Sequence, residues 1–128
     1  RVKAAPSKET DALAEVLRDL LNDYAPEDIV VLSPFGGNHS TVGALLTRAE
    51  GSPNERRLRQ QLQVGGGTGR IPWRSIFKYK GLEADAVVLT DIGDAARAFV
   101  ADSGLDWDDL YYVGLTRAKY QVVVVETV

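Results

Sequence analysis

The sequence predicts an α/β fold: three layers, with a mainly parallel sheet between helices. Three short apolar runs carry that expectation, at residues 29–32 (IVVL), 86–89 (AVVL) and 122–125 (VVVV). None alternates with polar residues, so both faces of each strand must be covered, as in a parallel sheet. The segments between them have helical spacing instead. A length of 128 residues suits one domain spanning the whole chain, and a chain of that size buries roughly two thirds of its unfolded surface.

Each element follows from its residues. Residues 2–5 read as a short first strand, and Ser7 reads as the N-cap of a helix over 10–22, with Glu9 and Asp11 at its positive end. Leu13, Val16, Leu17, Leu20, Leu21 and Tyr24 share one helical face. Pro26 is expected to break that helix. Further helices are expected near 40–49, 94–102 and 106–118, and a last strand over 120–126. The interval 51–72 reads as an insertion, with a short helix or strand around 56–64 and then a flexible GGGTG loop at 65–69. The chain opens on Arg1 in what reads as a strand, which predicts a piece of a longer protein.

Composition narrows the functions. With no cysteine there are no disulfides or thiolate metal sites, and His39 is the lone histidine. No apolar run is long enough to span a membrane, so no membrane partner is expected and a cytoplasmic location fits. The net charge of −3 argues against strong nucleic-acid binding by the domain alone. Bases nevertheless gather at Arg48, Arg56, Arg57, Arg59, Arg70, Arg74, Lys78 and Lys80. They read either as solvated faces or as a strip facing a phosphate backbone.

Several motifs fail on inspection. GGGTG lacks the Gly-Lys-Ser/Thr ending of a Walker A loop and the spacing of a dinucleotide fingerprint, so it reads as a linker. Asp91 and Asp94 follow a predicted strand and read as helix caps rather than metal ligands. Ser40 beside His39 has no nucleophile-elbow context.

Two stretches remain. Residues 75–91, SIFKYKGLEADAVVLTD, resemble motif V of UvrD-like superfamily 1 helicases, T-x-H-x-x-K-G-L-E before an apolar strand. Residues 110–119, LYYVGLTRAK, are similar to motif VI, L-x-Y-V-A/G-x-T-R-A, also before a strand. Residues 28–46 look like the strand, loop and helix of motif IV. Order and spacing match, and the resemblance covers nearly the whole chain. It implies the second RecA-like motor domain of a DNA helicase, of P-loop NTPase type but lacking its own Walker A loop.

The resemblance also implies roles. Arg117 would be the catalytic arginine finger, whose always-charged planar fork suits the γ-phosphate oxygens of ATP. Gly81 and Glu83 would join it in binding the nucleotide, Glu83 through the ribose. Ser75, Phe77 and Lys78 would touch single-stranded DNA, with Lys80 and Thr116 supporting the motifs. ATP and Mg²⁺ would be cofactors of the parent protein, with Mg²⁺ held elsewhere, and the N-terminal RecA-like domain would be the partner. The isolated chain is expected not to hydrolyse ATP.

Each residue also has a plainer reading. Arg117 could complement a helix C-terminus, Glu83 could pair with Lys78 or Lys80, and Trp73 and Phe77 could be sheet packing. The chain departs from the family where Phe77 replaces the usual histidine, and where Ser33, Pro34 and Phe35 stand in place of a motif IV arginine. A helicase-derived binding module without motor function is therefore the second reading. An unrelated nucleotide-binding protein using GGGTG is the third.

Overall fold

A computed structural model describes residues 2–4, 9–35, 62–64, 69–76, 83–102, 104 and 106–127. Its frame is a six-stranded sheet in which every described pairing is parallel. The strands are β1 (Val2–Ala4), β2 (Ile29–Ser33), β3 (Leu62–Val64), β4 (Ile71–Ser75), β5 (Ala84–Ile92) and β6 (Ala118–Thr127). Their order across the sheet is β1-β6-β5-β2-β4-β3. The helices are α1 (Glu9–Leu20), α2 (Asp94–Asp102) and α3 (Trp107–Thr116).

The unalternating runs do what parallel packing requires. All five residues of β2 are buried, as are 86–92 of β5. Odd and even positions feed two separate cores. Ile29, Val31, Ala86 and Val88 pack with Leu13, Leu17 and Leu20 of α1. Val30, Leu32, Val87 and Leu89 pack with Trp107, Tyr111 and Leu115 of α3. One helix layer thus covers each face, giving the expected three layers. Each fully buried leucine of α1 contributes about 1.5–3 kcal/mol by leaving water.

Connectivity explains the sidedness. The step from β1 through α1 to β2 crosses the sheet one way, and that from β5 through α2 and α3 to β6 runs the other way. A fixed crossover hand then puts the helices on opposite faces.

Some boundaries differ from expectation. Helix α1 stops at Leu20, ahead of Pro26, which instead opens a 3-10 turn, Pro26–Asp28. Leu21 and Tyr24 still pack on the α1 core, from a turn rather than a helix. The interval 51–72 holds strand β3 and the start of β4. Sequence reading obscured β4 because Pro72 removes a ladder donor, yet it is only the second residue of the strand, and Ile71 beside it is fully buried. Within GGGTG only Gly69 is described. It turns with φ +71 and donates its N–H to the Glu27 carboxylate, as suits a connector. Ser7, His39, Ser40, the helix expected near 40–49 and most of the basic strip lie outside the described residues.

Asp91 and Asp94 are not helix caps. Gly93 holds the capping position of α2, its carbonyl accepting from the Arg97 N–H at 3.1 Å, and Asp94 is the first helical residue. Asp91 is still in β5, with φ +61, where the register against β6 shifts. The extra residue makes a bulge and restores Ile92 to the α3 side. Asp106 is the aspartate that caps, its carboxylate accepting from the N–H groups of Asp108 (2.8 Å) and Asp109 (3.3 Å).

Candidate functional site

Helix α3 lies close on the sheet because residue 114 is glycine. A Cβ there would come within 2.8 Å of both Ile76 Cδ1 and Leu89 Cδ2. The helix ends at Arg117, whose N–H donates to the Gly114 carbonyl at 3.4 Å and whose carbonyl accepts from the Ala84 N–H at 3.0 Å. Ala84 in turn faces Ala118 across β5 and β6. The backbones of Glu83 and Arg117, far apart in sequence, are thereby neighbours at the N-terminal ends of two central strands.

Their side chains differ in setting. Glu83 is exposed. The Arg117 side chain is half-buried, and its Nε is buried without a hydrogen-bond partner. Arg117 is the C-cap residue of α3, with φ −84 and ψ −12. Its charge therefore complements the negative end of that helix, as the plainer reading of this residue expects. The Thr116 hydroxyl donates to the Tyr112 carbonyl at 2.9 Å, one turn back along α3. That bond is local to the helix.

Ser75 lies elsewhere. It ends β4, with Ser33 as its partner on β2, while Leu32 faces Leu89 on β5. Ser75 is therefore level with Thr90, six residues along β5 from Ala84. At about 3.3 Å per residue, that is roughly 20 Å from the Glu83–Arg117 end. Glu83 and Arg117 lie at the N-terminal ends of the strands, and Ser75 at the opposite, C-terminal end. Phe77, Lys78, Lys80 and Gly81 fall outside the described residues. Trp73 packs half-buried against the α1 core, in line with its sheet-packing reading.

Two features escaped the sequence. One is Gly114, which reads as an ordinary motif residue until Ile76 is seen against it. The other is a buried polar group of Ser33, Thr90 and Asp91 at the C-terminal ends of β2 and β5. The Ser33 hydroxyl donates to Asp91 Oδ2 at 2.5 Å and accepts from the Phe35 N–H at 3.1 Å. Among the described residues no group of three or more His, Cys, Asp or Glu is placed to hold a metal ion, and no helix is long and apolar enough to cross a membrane. Compared with models of known protein families the chain matches none, and no curated protein matches it.

Proposed function

We propose that this chain is the second, RecA-like motor domain of a UvrD-like superfamily 1 helicase. In this reading Arg117 supplies the cation to a triphosphate whose phosphates and magnesium are held by an N-terminal RecA-like domain of the same parent protein. The observation that carries the reading is the meeting of motif V and motif VI. Glu83 and Arg117 come from separate motifs and are joined through the Ala84–Arg117 backbone hydrogen bond at one end of the sheet. The all-parallel three-layer fold is compatible with a RecA-like domain.

The residues present fit that role chemically. Arg117 is half-buried, and its Nε–H without a partner is a donor in want of an acceptor. Leaving a buried donor unpaired costs about 1–3 kcal/mol, which a phosphate oxygen at that position would recover. Glu83, exposed beside it, can accept from a ribose hydroxyl. ATP supplies the transferable phosphoryl group. This chain binds one side of it, orients it and offsets its charge, and single-stranded DNA runs over the Ser75 edge.

A helicase-derived binding module is the second reading. It is favoured by the acidic net charge of −3 and by the residues Ser33, Pro34 and Phe35 where the family has an arginine. Nucleotide turnover by the isolated chain tests the first reading. No turnover is expected, because one wall of the cleft is missing. Clear, Arg117-dependent hydrolysis by this chain alone would refute it.

A further inference from the structure

Strand β6 outruns its outer neighbour. It holds ten residues, and on its inner side the register with β5 runs from Ala118 to Glu126. On its outer side β1 pairs only with Val125, Glu126 and Thr127. Among the described residues no strand lies against the outer side of 118–124. A row of backbone N–H and C=O groups left so is a template for another strand, and proteins usually blunt it with charge, proline or a bulge. Here the blunting is confined to the start, where Lys119 stands and the register against β5 shifts. From Gln121 to Val124 the register is regular, and the residues carry neither charge nor proline.

The two faces of this edge differ. Val122 is level with Val87 and Val124 with Leu89, so both lie on the α3 side. Tyr120, two residues earlier, shares that face by alternation. The α3 layer covers Val124, 5% exposed, but leaves Val122 at 37% and Tyr120 at 76%. On the α1 side, level with Ala86, Gln121 is exposed and accepts from the Tyr24 hydroxyl at 3.4 Å. The open edge is thus apolar on one face and polar on the other, and an added strand of period two would match it. Its charge has one sign. Between Arg117 and Glu126 the sole charged residue is Lys119, which is exposed, and Glu126 already stands beside β1. An incoming strand with carboxylates complements that lysine. A second copy of this chain does not, because its own edge offers Lys119 no acid.

We infer that the outer edge of β6 at 118–124 binds an extended segment of a partner protein, alternating apolar and acidic residues, as an added strand of the sheet. The backbone ladder supplies the attraction common to any strand, and the side chains select. Apolar residues of the segment cover Tyr120 and Val122, and a carboxylate meets Lys119. The inference goes beyond the nucleotide role of Arg117 and does not rest on it.

The test is a ¹H–¹⁵N NMR titration of this chain with short capped peptides. One alternates valine with glutamate, one alternates valine with lysine, and one has the composition of the first with its valines and glutamates in separate runs. The alternating acidic peptide is expected to shift the amides of Tyr120, Gln121, Val122 and Val123 and to slow their exchange with solvent. The lysine peptide should bind about fivefold more weakly, the value of one exposed charge pair. Lys119→Glu should reverse that order. Tyr120→Ala should weaken both alternating peptides about threefold alike, through the loss of an aromatic–valine cross-strand pair. Both substitutions fall on exposed side chains, so the fold is retained. Equal binding of the separate-run peptide, or of the lysine peptide, would overturn the proposal. So would the absence of shifts at these amides at about 5 mM peptide, a concentration that populates even a millimolar complex. Edge amides that shift on dilution of the chain alone would overturn it by making a second copy the occupant. Shifts confined to Ala84 and Arg117 would overturn it while leaving the nucleotide reading untouched.

Discussion

Substituting alanine for Gly114 sets two effects of similar size against each other. Alanine in a helix interior is about 1 kcal/mol better than glycine. The new Cβ, however, would lie 2.8 Å from Ile76 Cδ1, 2.8 Å from Leu89 Cδ2 and 3.2 Å from Leu89 Cδ1. Those contacts are side-chain ends, which normally swing away. In this core they have nowhere to go, because Ile76 is 2% exposed and Leu89 0%. Overpacking a filled core costs about 1–3 kcal/mol. The net expectation is a loss of roughly 1 kcal/mol, or about 3–5 °C in Tm for a domain of this size. Gly114→Val, with two more carbons and a stiff χ1, should lose about 3 kcal/mol. The assay is urea unfolding of wild type, Gly114→Ala, Leu89→Ala and the double variant. Leu89→Ala alone should cost about 2–5 kcal/mol, and in the double variant the methyl at 114 should partly fill that space, giving a coupling of about 1 kcal/mol. A stabilised Gly114→Ala with zero coupling would refute the close approach of α3 to β5. The position of Arg117 at the end of α3 would then need another cause.

Other substitutions test the remaining supports. Leu17→Ala, at a fully buried position facing the sheet, should lower stability by about 2–5 kcal/mol in chemical unfolding. Asp106→Ala removes the one oxygen, Oδ1, that accepts both cap bonds of α3 and should cost about 1 kcal/mol, with Asp106→Asn recovering most of it. Arg97 lies 5.5 Å from the Trp107 ring centroid, and Trp107 stacks on Tyr111 at 5.9 Å and 11°. Arg97→Ala should therefore cost about 0.5–1 kcal/mol and change the Trp107 emission, read in a Trp73→Phe background.

The layers were legible because an apolar run without alternation can satisfy both faces only inside a sheet covered twice. Residues 29–32, 86–89 and 122–125 all became central strands. What resisted reading was local. β4 hid behind Pro72, and β3 is three residues long, too short for any period to show. Asp91 looked like a cap because aspartate before a helix usually is one. Its positive φ depends on a bulge against β6, a partner far along the sequence. In the candidate site, the joining of Glu83 to Arg117 follows from the two motifs preceding strands that turn out to be adjacent. The closeness of Gly114 to Ile76, and the buried Ser33–Asp91 bond, depend on strand order and register, which periodicity does not encode.

The most direct test of the central claim is the rate of ATP hydrolysis by the longer protein that the proposal requires, with Arg117 intact and as Arg117→Ala. An arginine finger at this position predicts a fall in kcat of about 10³–10⁵-fold with little change in KM for ATP, since the missing charge acts on the transition state more than on the bound nucleotide. A kcat for Arg117→Ala close to that of the unaltered protein would contradict it.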